Sequence, residues 1–196
     1  MIKRLFDIVF SLIGILILSP FFLLFALLII INSGFPVFYT QERIGKNELA
    51  FSLLKFRTMH SGADKKGLLT VGDRDSRITG IGYFLRKYKL DELPQLFNVL
   101  FGDMSLVGPR PEVKKYTDMY NAEQKKALSV KPGITDYASI EYSNENELLS
   151  NSADPEQEYI SKVMPAKLKL NLKYIQDQGL LTDFKIILKT LAKIWH

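Results

Sequence analysis

The sequence predicts an α+β protein that is mostly helical, with an N-terminal membrane helix and one small globular domain. Residues 8–41 contain no charged side chain, and within residues 8–31 only four of the 24 side chains are not apolar. The rest of the chain, about 150 residues, is polar enough for one soluble domain of ordinary size. This division argues against a purely soluble globule and against a multi-pass carrier. We place the boundary between a membrane helix, residues 1–35, and a catalytic domain, residues 36–196.

The composition excludes several classes of protein. The 196 residues include no cysteine, which excludes a disulfide scaffold, a thiolate zinc site and a cysteine nucleophile. The 47% of hydrophobic and 12% of aromatic residues exclude intrinsic disorder. The net charge of +5 suits anionic partners such as nucleic acid, acidic lipid or phosphorylated substrates. The apolar N-terminus favours the last two.

The N-terminal apolar segment is predicted to be retained. It is too long for the apolar region of a signal peptide, and no small-x-small cleavage site follows it. It is long enough to span a bilayer, which takes about 20 residues. Ser19-Pro20 lies in its middle, where a proline kinks or breaks a helix.

The charges on both sides of this segment bear on its course through the membrane. Lys3 and Arg4 precede it and several basic residues follow it, so the positive-inside rule places both flanks on the cytoplasmic side. The helix would then enter the bilayer, bend at Ser19-Pro20 and return to the same face. Ser19 could hydrogen-bond a carbonyl that the proline leaves free. A kinked spanning helix is the alternative, and the residue pattern leaves both open.

The globular part carries signals for a short β-hairpin and several amphipathic helices. Polar residues 60–76, which include Asp73 and Arg74, predict an exposed loop. A helix capped by Thr182 and ending near Trp195 repeats lysine every four residues, which fits either a membrane interface or ordinary core packing. The other predicted elements are strands at 37–41 and 49–55, and helices over 76–89, over a pattern at 93–100 with Pro94 just inside it, over 112–128 and from Asp154-Pro155. The acidic stretch 141–156 either closes over a site or is simply solvated.

Asp91 and Glu92 are the most informative residues. Proline is tolerated only in the first turn of a helix, so Pro94 predicts that a helix begins close to Asp91. The helix dipole and free N–H groups would then keep Asp91 ionised, and it could act as a nucleophile. An ordinary capping pair is the structural alternative.

Four basic residues lie in restricted positions near this pair in the sequence. Lys55 and Arg57 alternate along an extended segment and so share one face. Arg110 is fixed between two prolines, and Arg86 lies one or two turns before Asp91. Together with two carboxylates in a membrane-anchored chain, they predict phosphoryl-group chemistry with Mg²⁺.

These features belong to an ordered set of motifs. The motifs are KRLFD (3–7), SP (19–20), FYTQERIG (38–45), KFRTM (55–59), LDELPQLFNVL (90–100), GDMS (102–105), VGPRP (107–111) and KPGIT (131–135). With them, the chain resembles the bacterial monotopic phosphoglycosyl transferases, also called initiating sugar transferases, and it resembles a minimal member.

The resemblance implies a re-entrant helix broken at Ser19-Pro20 and an enzyme on the cytoplasmic face of the inner membrane. It implies transfer of a sugar 1-phosphate from a UDP-sugar to undecaprenyl phosphate, with release of UMP. Asp91 would be the nucleophile that forms a covalent phosphosugar adduct, and Glu92 would help to hold Mg²⁺ or handle protons. Both would be metal ligands. The substrate-binding residues implied are Lys55, Arg57, Arg86 and Arg110, which would contact phosphates or nucleotide.

One segment departs from the family's pattern. After the motif at 131–135 many members continue Gly-Leu-Ala-Gln, whereas this chain has Asp136-Tyr137-Ala138-Ser139. The departure leaves the identity of the sugar open, although the family often uses N-acetylated sugars.

Other functions compete with this interpretation. A non-catalytic membrane scaffold would use the basic faces to bind anionic membrane lipid. A phosphohydrolase would use the same Asp91 with water as the acceptor. A nucleic-acid binder is disfavoured because no reading motif is present. Neither the oligomeric state nor the glycan pathway can be predicted from the sequence.

Overall fold

The computed structural model describes residues 2–63 and 75–194, which form a mostly helical α+β protein. The helices are α1 (Ile2–Ser33), α2 (Gly80–Lys87), α3 (Gln95–Phe101), α4 (Lys114–Thr117), α5 (Tyr137–Glu141), α6 (Glu145–Ser150), α7 (Pro155–Glu158), α8 (Met164–Asp177) and α9 (Leu180–Ile194). The strands are β1 (Phe38–Ile44), β2 (Ala50–Phe56), β3 (Ser105–Val107) and β4 (Gly133–Thr135). Short 3₁₀ segments lie at Lys46–Glu48, Leu90–Glu92 and Gln124–Ser129, and a π-helical turn lies at Tyr159–Val163.

The strands form two separate two-stranded sheets. β1 and β2 pair antiparallel, with Phe38 opposite Phe56 and Ile44 opposite Ala50, which confirms the predicted hairpin. β1 is longer than the predicted strand, whereas β2 is the predicted strand shifted by one residue. β3 and β4 pair in parallel through two residue pairs, Ser105 with Gly133 and Val107 with Thr135. Strands this short give no alternating pattern in the sequence, so this sheet was not predicted.

Two predicted helices differ from the structure. Residues 112–128 form the short α4 and a separate 3₁₀ turn, not one amphipathic helix. Asn121 and Gln124 explain the interruption, because the side chain of each accepts from the backbone N–H of the other and so caps a new turn. The C-terminal helix begins at Leu180, so Thr182 is inside it rather than at its cap. Trp195, and Asp73 and Arg74 of the predicted loop, lie outside the described residues.

α1 runs without interruption through Pro20. A proline at this position has no N–H to give to the carbonyl of Leu16, four residues earlier. The Ser19 hydroxyl donates to that carbonyl instead, at 2.8 Å, as the sequence predicted. The helical assignment therefore shows no break at Ser19-Pro20, and the re-entrant course stays a prediction.

Both ends of α1 are attached to the globular domain. At the start, Lys3 Nζ lies 2.5 Å from Asp183 Oδ2, and Arg4 donates to the carbonyls of Val99 and Leu100 at the end of α3. At the other end, the carbonyls of residues 33–35 accept from Arg57. Both ends of α1 therefore contact the same domain.

The side of α1 that faces away from the domain is apolar and exposed. Leu23 is 75% exposed, Ile31 73% and Ile17 67%. By length and composition α1 could cross a membrane, and such a helix could anchor the chain there. The opposite side packs on the domain, where Phe25 and Ile29 join Phe56 and Leu85 in one buried cluster.

Candidate active site

Asp91 and Glu92 lie in the 3₁₀ turn between α2 and α3. Lys89, which precedes the turn, has a left-handed backbone with φ of 56°, and this reverses the chain after α2. Pro94 then precedes the first residue of α3, as its tolerance for a first turn requires. Both carboxylates are buried, with Asp91 7% and Glu92 9% exposed. They occupy a turn of their own, whereas the sequence predicts them at the N-terminus of the helix.

Glu92 joins two of the predicted basic residues. Lys55 Nζ on β2 lies 3.0 Å from Glu92 Oε1. Arg110 donates through both terminal nitrogens, to Glu92 Oε2 at 3.0 Å and to Glu92 Oε1. The pairing is bidentate, which fixes the plane of the guanidinium as well as its position. Residues from three distant parts of the chain thus meet at one carboxylate.

The electrostatics of the two carboxyl groups differ in sign. Burial alone would raise the pKa of Glu92, but the charges of Arg110 and Lys55 outweigh it and hold that pKa well below its ordinary value. Burial raises the pKa of Asp91, and the charge of Lys55 only partly opposes this. The direction for Asp91 is the reverse of what a helix dipole would give, because the residue is buried in a separate turn. Two adjacent carboxyls whose environments separate their pKa values are typical of sites with divided roles.

The Asp91 carboxylate has no protein partner in the described part of the chain. No side-chain hydrogen bond or ion pair from residues 2–63 or 75–194 reaches it, although Lys55, Arg86 and Lys89 act on it electrostatically. A buried carboxylate without a donor is costly unless something else pairs with it. Asp91 is therefore the group in this site that is open to a cation or to a reacting atom.

The loop that carries Arg110 is held by the β3–β4 sheet. Gly108 N donates to Thr135 O, and Gly133 N donates to Pro109 O, both at 3.0 Å. A Cβ on Gly108 would lie 2.5 Å from the Lys131 carbonyl oxygen, so only glycine allows this approach. The close contact of two loops fixes where the Arg110 side chain begins.

Arg57 and Arg86 are placed differently from Lys55 and Arg110. Arg57 is 5% exposed and donates to the carbonyls of Ser33, Gly34 and Phe35 at 2.5–2.7 Å. It caps the end of α1, where its terminal nitrogens donate to backbone carbonyls and not to Glu92. The predicted contact with phosphate or nucleotide stays a prediction. Arg86 lies in the last turn of α2, and its charge opposes the rise that burial causes in the pKa of Asp91.

The site fits a Mg²⁺ ion held by one protein side chain, Asp91, better than one held by both Asp91 and Glu92. Proteins bind Mg²⁺ through one or two carboxylates together with waters and substrate phosphates. Asp91 is open to such a cation, whereas both oxygens of Glu92 already accept from Lys55 and Arg110. No cluster of three or more His, Asp or Glu side chains that could hold a metal occurs in residues 2–63 and 75–194. An ion here would depend on Asp91 and on phosphate oxygens of the substrate.

Two further residues that position the site were missed from the sequence. Asn98 is buried on α3; its Oδ1 accepts from Leu54 N at 3.0 Å and its Nδ2 donates to Ser52 O at 2.8 Å. Asn98 therefore fixes β2, and Lys55 with it, against α3, the helix that follows the dyad, as we call the pair Asp91 and Glu92. Asp136 is fully buried and accepts from Arg110 N. The sequence held a signal for Asn98, because it is a polar residue on the apolar side of α3. It held no signal that Asp136 binds the backbone N–H of Arg110.

Comparisons with known proteins show the family of this chain. The family model described as bacterial sugar transferase matches residues 1–196. The chain is 36% identical over 196 residues to the UDP-N-acetylgalactosamine-undecaprenyl-phosphate N-acetylgalactosaminephosphotransferase of Aeromonas hydrophila, covering 98% of this chain and 43% of that protein. It is 35% identical over 195 residues to the UDP-glucose:undecaprenyl-phosphate glucose-1-phosphate transferase of Caulobacter vibrioides, covering 98% and 69%.

A further relative matches over a shorter region. The chain is 48% identical over 122 residues to a putative undecaprenyl-phosphate N-acetylgalactosaminyl 1-phosphate transferase of Bacillus subtilis, covering 62% of this chain and 68% of that protein. The chain thus spans 43% to 69% of the length of these three relatives. Because the family model covers every residue and the relatives are named as sugar-phosphate transferases, the chain belongs to the bacterial sugar transferase family, whose members are transferases of polysaccharide biosynthesis.

Proposed function

We propose that this chain transfers a sugar 1-phosphate from a UDP-sugar to undecaprenyl phosphate and so starts the assembly of a glycan. The observation that carries the proposal is the Asp91 carboxylate, which is buried and has no protein partner within the described residues. It lies beside Glu92, which holds Lys55 and Arg110. A nucleophile next to fixed cations is what phosphoryl transfer between anions needs.

In the first half-reaction an Asp91 oxygen attacks the phosphorus that carries the sugar. The bond from that phosphorus to the bridging oxygen breaks, the electron pair leaves with UMP, and the sugar phosphate remains bonded to Asp91. In the second half-reaction an oxygen of undecaprenyl phosphate attacks the same phosphorus and the bond to Asp91 breaks. A covalent intermediate lets a soluble donor and a lipid acceptor use one site in turn.

The neighbours of Asp91 have separate tasks in this scheme. Lys55 and Arg110 neutralise the diphosphate of the donor, and Glu92 holds both in place. Mg²⁺ bound through Asp91 and the phosphate oxygens would supply charge neutralisation and favour the ionised carboxylate, whose pKa burial raises. Arg86, whose charge acts on Asp91, would add a further cation near the phosphates of the donor.

The attachment of both ends of α1 supports a site at one face of the membrane. Lys3 and Arg4 bind the domain at the start of the helix, and Arg57 binds it at the end. A helix that crossed the bilayer would separate one of these ends from the domain. We propose that α1 re-enters on the face it left, the cytoplasmic face of the inner membrane, so that the phosphate of undecaprenyl phosphate arrives at the depth of the dyad.

The relatives suggest which donors to test. Their names specify N-acetylgalactosamine in Aeromonas hydrophila and glucose in Caulobacter vibrioides, and one from Streptococcus agalactiae is named a galactosyl transferase. The donor panel should therefore hold UDP-N-acetylgalactosamine, UDP-glucose and UDP-galactose, with UDP-N-acetylglucosamine as the further N-acetylated sugar.

The test is UMP release by the full chain in detergent, with Mg²⁺, with and without undecaprenyl phosphate. We expect lipid-dependent turnover with one sugar, none with Asp91→Asn, and wild-type turnover with Asp118→Asn. Asp118 is a matched control because it is an exposed aspartate whose ion-pair partner within the described residues is Lys114. UMP release at full rate without lipid would make the protein a hydrolase. Unchanged turnover in Asp91→Asn would remove Asp91 from the mechanism.

A further inference from the structure

Asp136 connects the start of α5 to the loop that carries Arg110. Its side chain is fully buried. One oxygen, Oδ1, accepts from Ser139 N at 2.6 Å and caps α5. The other, Oδ2, accepts from Arg110 N at 3.3 Å. One carboxylate therefore joins two backbone segments.

We infer that Asp136 is the positioning residue of Arg110, and that it fixes the backbone from which the guanidinium reaches Glu92. Arg110 is then held at both ends, its backbone N–H by Asp136 and its side chain by Glu92. The inference rests on the proposed function only for its effect on turnover; its effect on the loop does not depend on the activity.

The two prolines that flank Arg110 make its hydrogen bond to Asp136 the contact that fixes the backbone of Arg110. Prolines lack a backbone N–H, so Arg110 carries the only backbone donor in the stretch from Pro109 to Pro111. The carbonyls on either side bind other partners, Pro109 O with Gly133 N and Pro111 O with Arg43. The N–H of Arg110 has Asp136 as its partner.

The buried charge of Asp136 adds to this effect. Its carboxylate acts electrostatically on the Arg110 guanidinium, as Glu92 and Glu145 do. A buried carboxylate needs compensation, and here it receives two N–H donors and a nearby cation. The same charge that orders the backbone of Arg110 also holds its side chain in the site.

A purely structural role, the capping of α5, predicts something different. Serine is a good capping residue because its hydroxyl accepts from the N–H two or three residues later. Asp136→Ser therefore keeps an acceptor for Ser139 N but removes the second oxygen that binds Arg110 N. Asp154→Ser is the matched control, because Asp154 caps α7 through Gln157 N at 3.0 Å and does not touch Arg110.

Hydrogen–deuterium exchange of the full chain in detergent reads the contact directly. Overlapping peptides that differ only in whether they report residues 109–111 isolate the amide of Arg110, because the two flanking prolines have no amide to exchange. We expect its exchange to be faster by about tenfold or more in Asp136→Ser, with α5 still protected and exchange in Asp154→Ser unchanged. Unchanged exchange of the Arg110 amide in Asp136→Ser would overturn the inference.

UMP release gives the second readout. We expect the turnover number of Asp136→Ser to fall by about tenfold or more, since small misplacements of a catalytic cation are costly, while Asp154→Ser keeps wild-type turnover. Wild-type turnover in Asp136→Ser would overturn the inference. If Asp136→Ser does not fold, Asp136→Asn replaces it, because its amide oxygen serves one N–H and not both. If the wild type releases no UMP, the proposed function fails, and the exchange experiment still decides the link between Asp136 and Arg110.

Discussion

Substitution of Arg57 separates two roles for this residue. The sequence places Arg57 among the residues that contact phosphate, whereas the structure places its guanidinium on the carbonyls of Ser33, Gly34 and Phe35 at the end of α1. A phosphate contact predicts weaker donor binding with little change in stability. A cap predicts lower stability with donor binding intact. Arg57→Ala removes all of these bonds.

The size of the effect follows from the bonds that are lost. A hydrogen bond from a charged donor contributes about 1.5–3 kcal/mol, and bonds from one group are not additive. Arg57 is 95% buried, and its loss also leaves carbonyls at the end of α1 without donors. We expect Arg57→Ala to lower the free energy of unfolding by about 3 kcal/mol, which is typical when one partner is removed from a buried network. For a chain of this size that lowers the melting temperature by roughly 6 to 12 °C.

The assay is thermal unfolding in detergent, followed by UMP release at a temperature where the variants are folded. Arg57→Lys keeps the charge but not the planar fork, so we expect it to lose more than half of the same stability. Lys185→Ala, at an exposed position of α9, is the control and should melt like the wild type. A wild-type melting temperature for Arg57→Ala, together with a KM for the UDP-sugar raised about tenfold or more, would refute the capping role.

Three further substitutions test other contacts. Lys3→Met should lower the free energy of unfolding by about 3 kcal/mol, because it leaves the buried Asp183 unpaired; addition of Asp183→Asn should restore most of this, and a full loss in the double variant would contradict the pairing. Gly108→Ala should abolish UMP release, because its Cβ meets a backbone carbonyl at 2.5 Å, whereas Gly179→Ala, whose Cβ meets nothing closer than 4.0 Å, should not. Glu92→Gln should lower the rate of UMP release by about 10²-fold or more, measured in one turnover; a wild-type rate would show that the site does not need Glu92 to hold its cations.

Local signals in the sequence were enough to predict the main elements. The uncharged stretch after Asp7 predicts α1, and its hydroxyl at Ser19 does bind the carbonyl that Pro20 leaves free. The alternating residues around a polar turn predict the β-hairpin. Pro94 predicts a helix start close by, and α3 does begin at the next residue, although Asp91 and Glu92 lie in a separate turn before it. Each of these rests on residues that are neighbours along the chain.

The contacts that position the site are long-range, and the sequence does not encode them in any local pattern. Lys3 and Asp183 are 180 residues apart, and Asn98 reaches a strand more than 40 residues earlier. Arg57 alternates with Lys55 on β2, but only the fold shows that the end of α1 takes one of them and Glu92 the other. The local pattern therefore does not show which group each basic residue binds.

The most direct test of the account is intact-protein mass spectrometry after incubation with the UDP-sugar and Mg²⁺ but without undecaprenyl phosphate. The account predicts one sugar phosphate bonded to each active chain, located by peptide mapping on Asp91, with at most one UMP released per chain. The adduct should disappear when undecaprenyl phosphate is added, and it should not form in Asp91→Asn. Lipid-dependent product formation with no adduct at any time would contradict the covalent role of Asp91 and would indicate direct transfer between the two substrates.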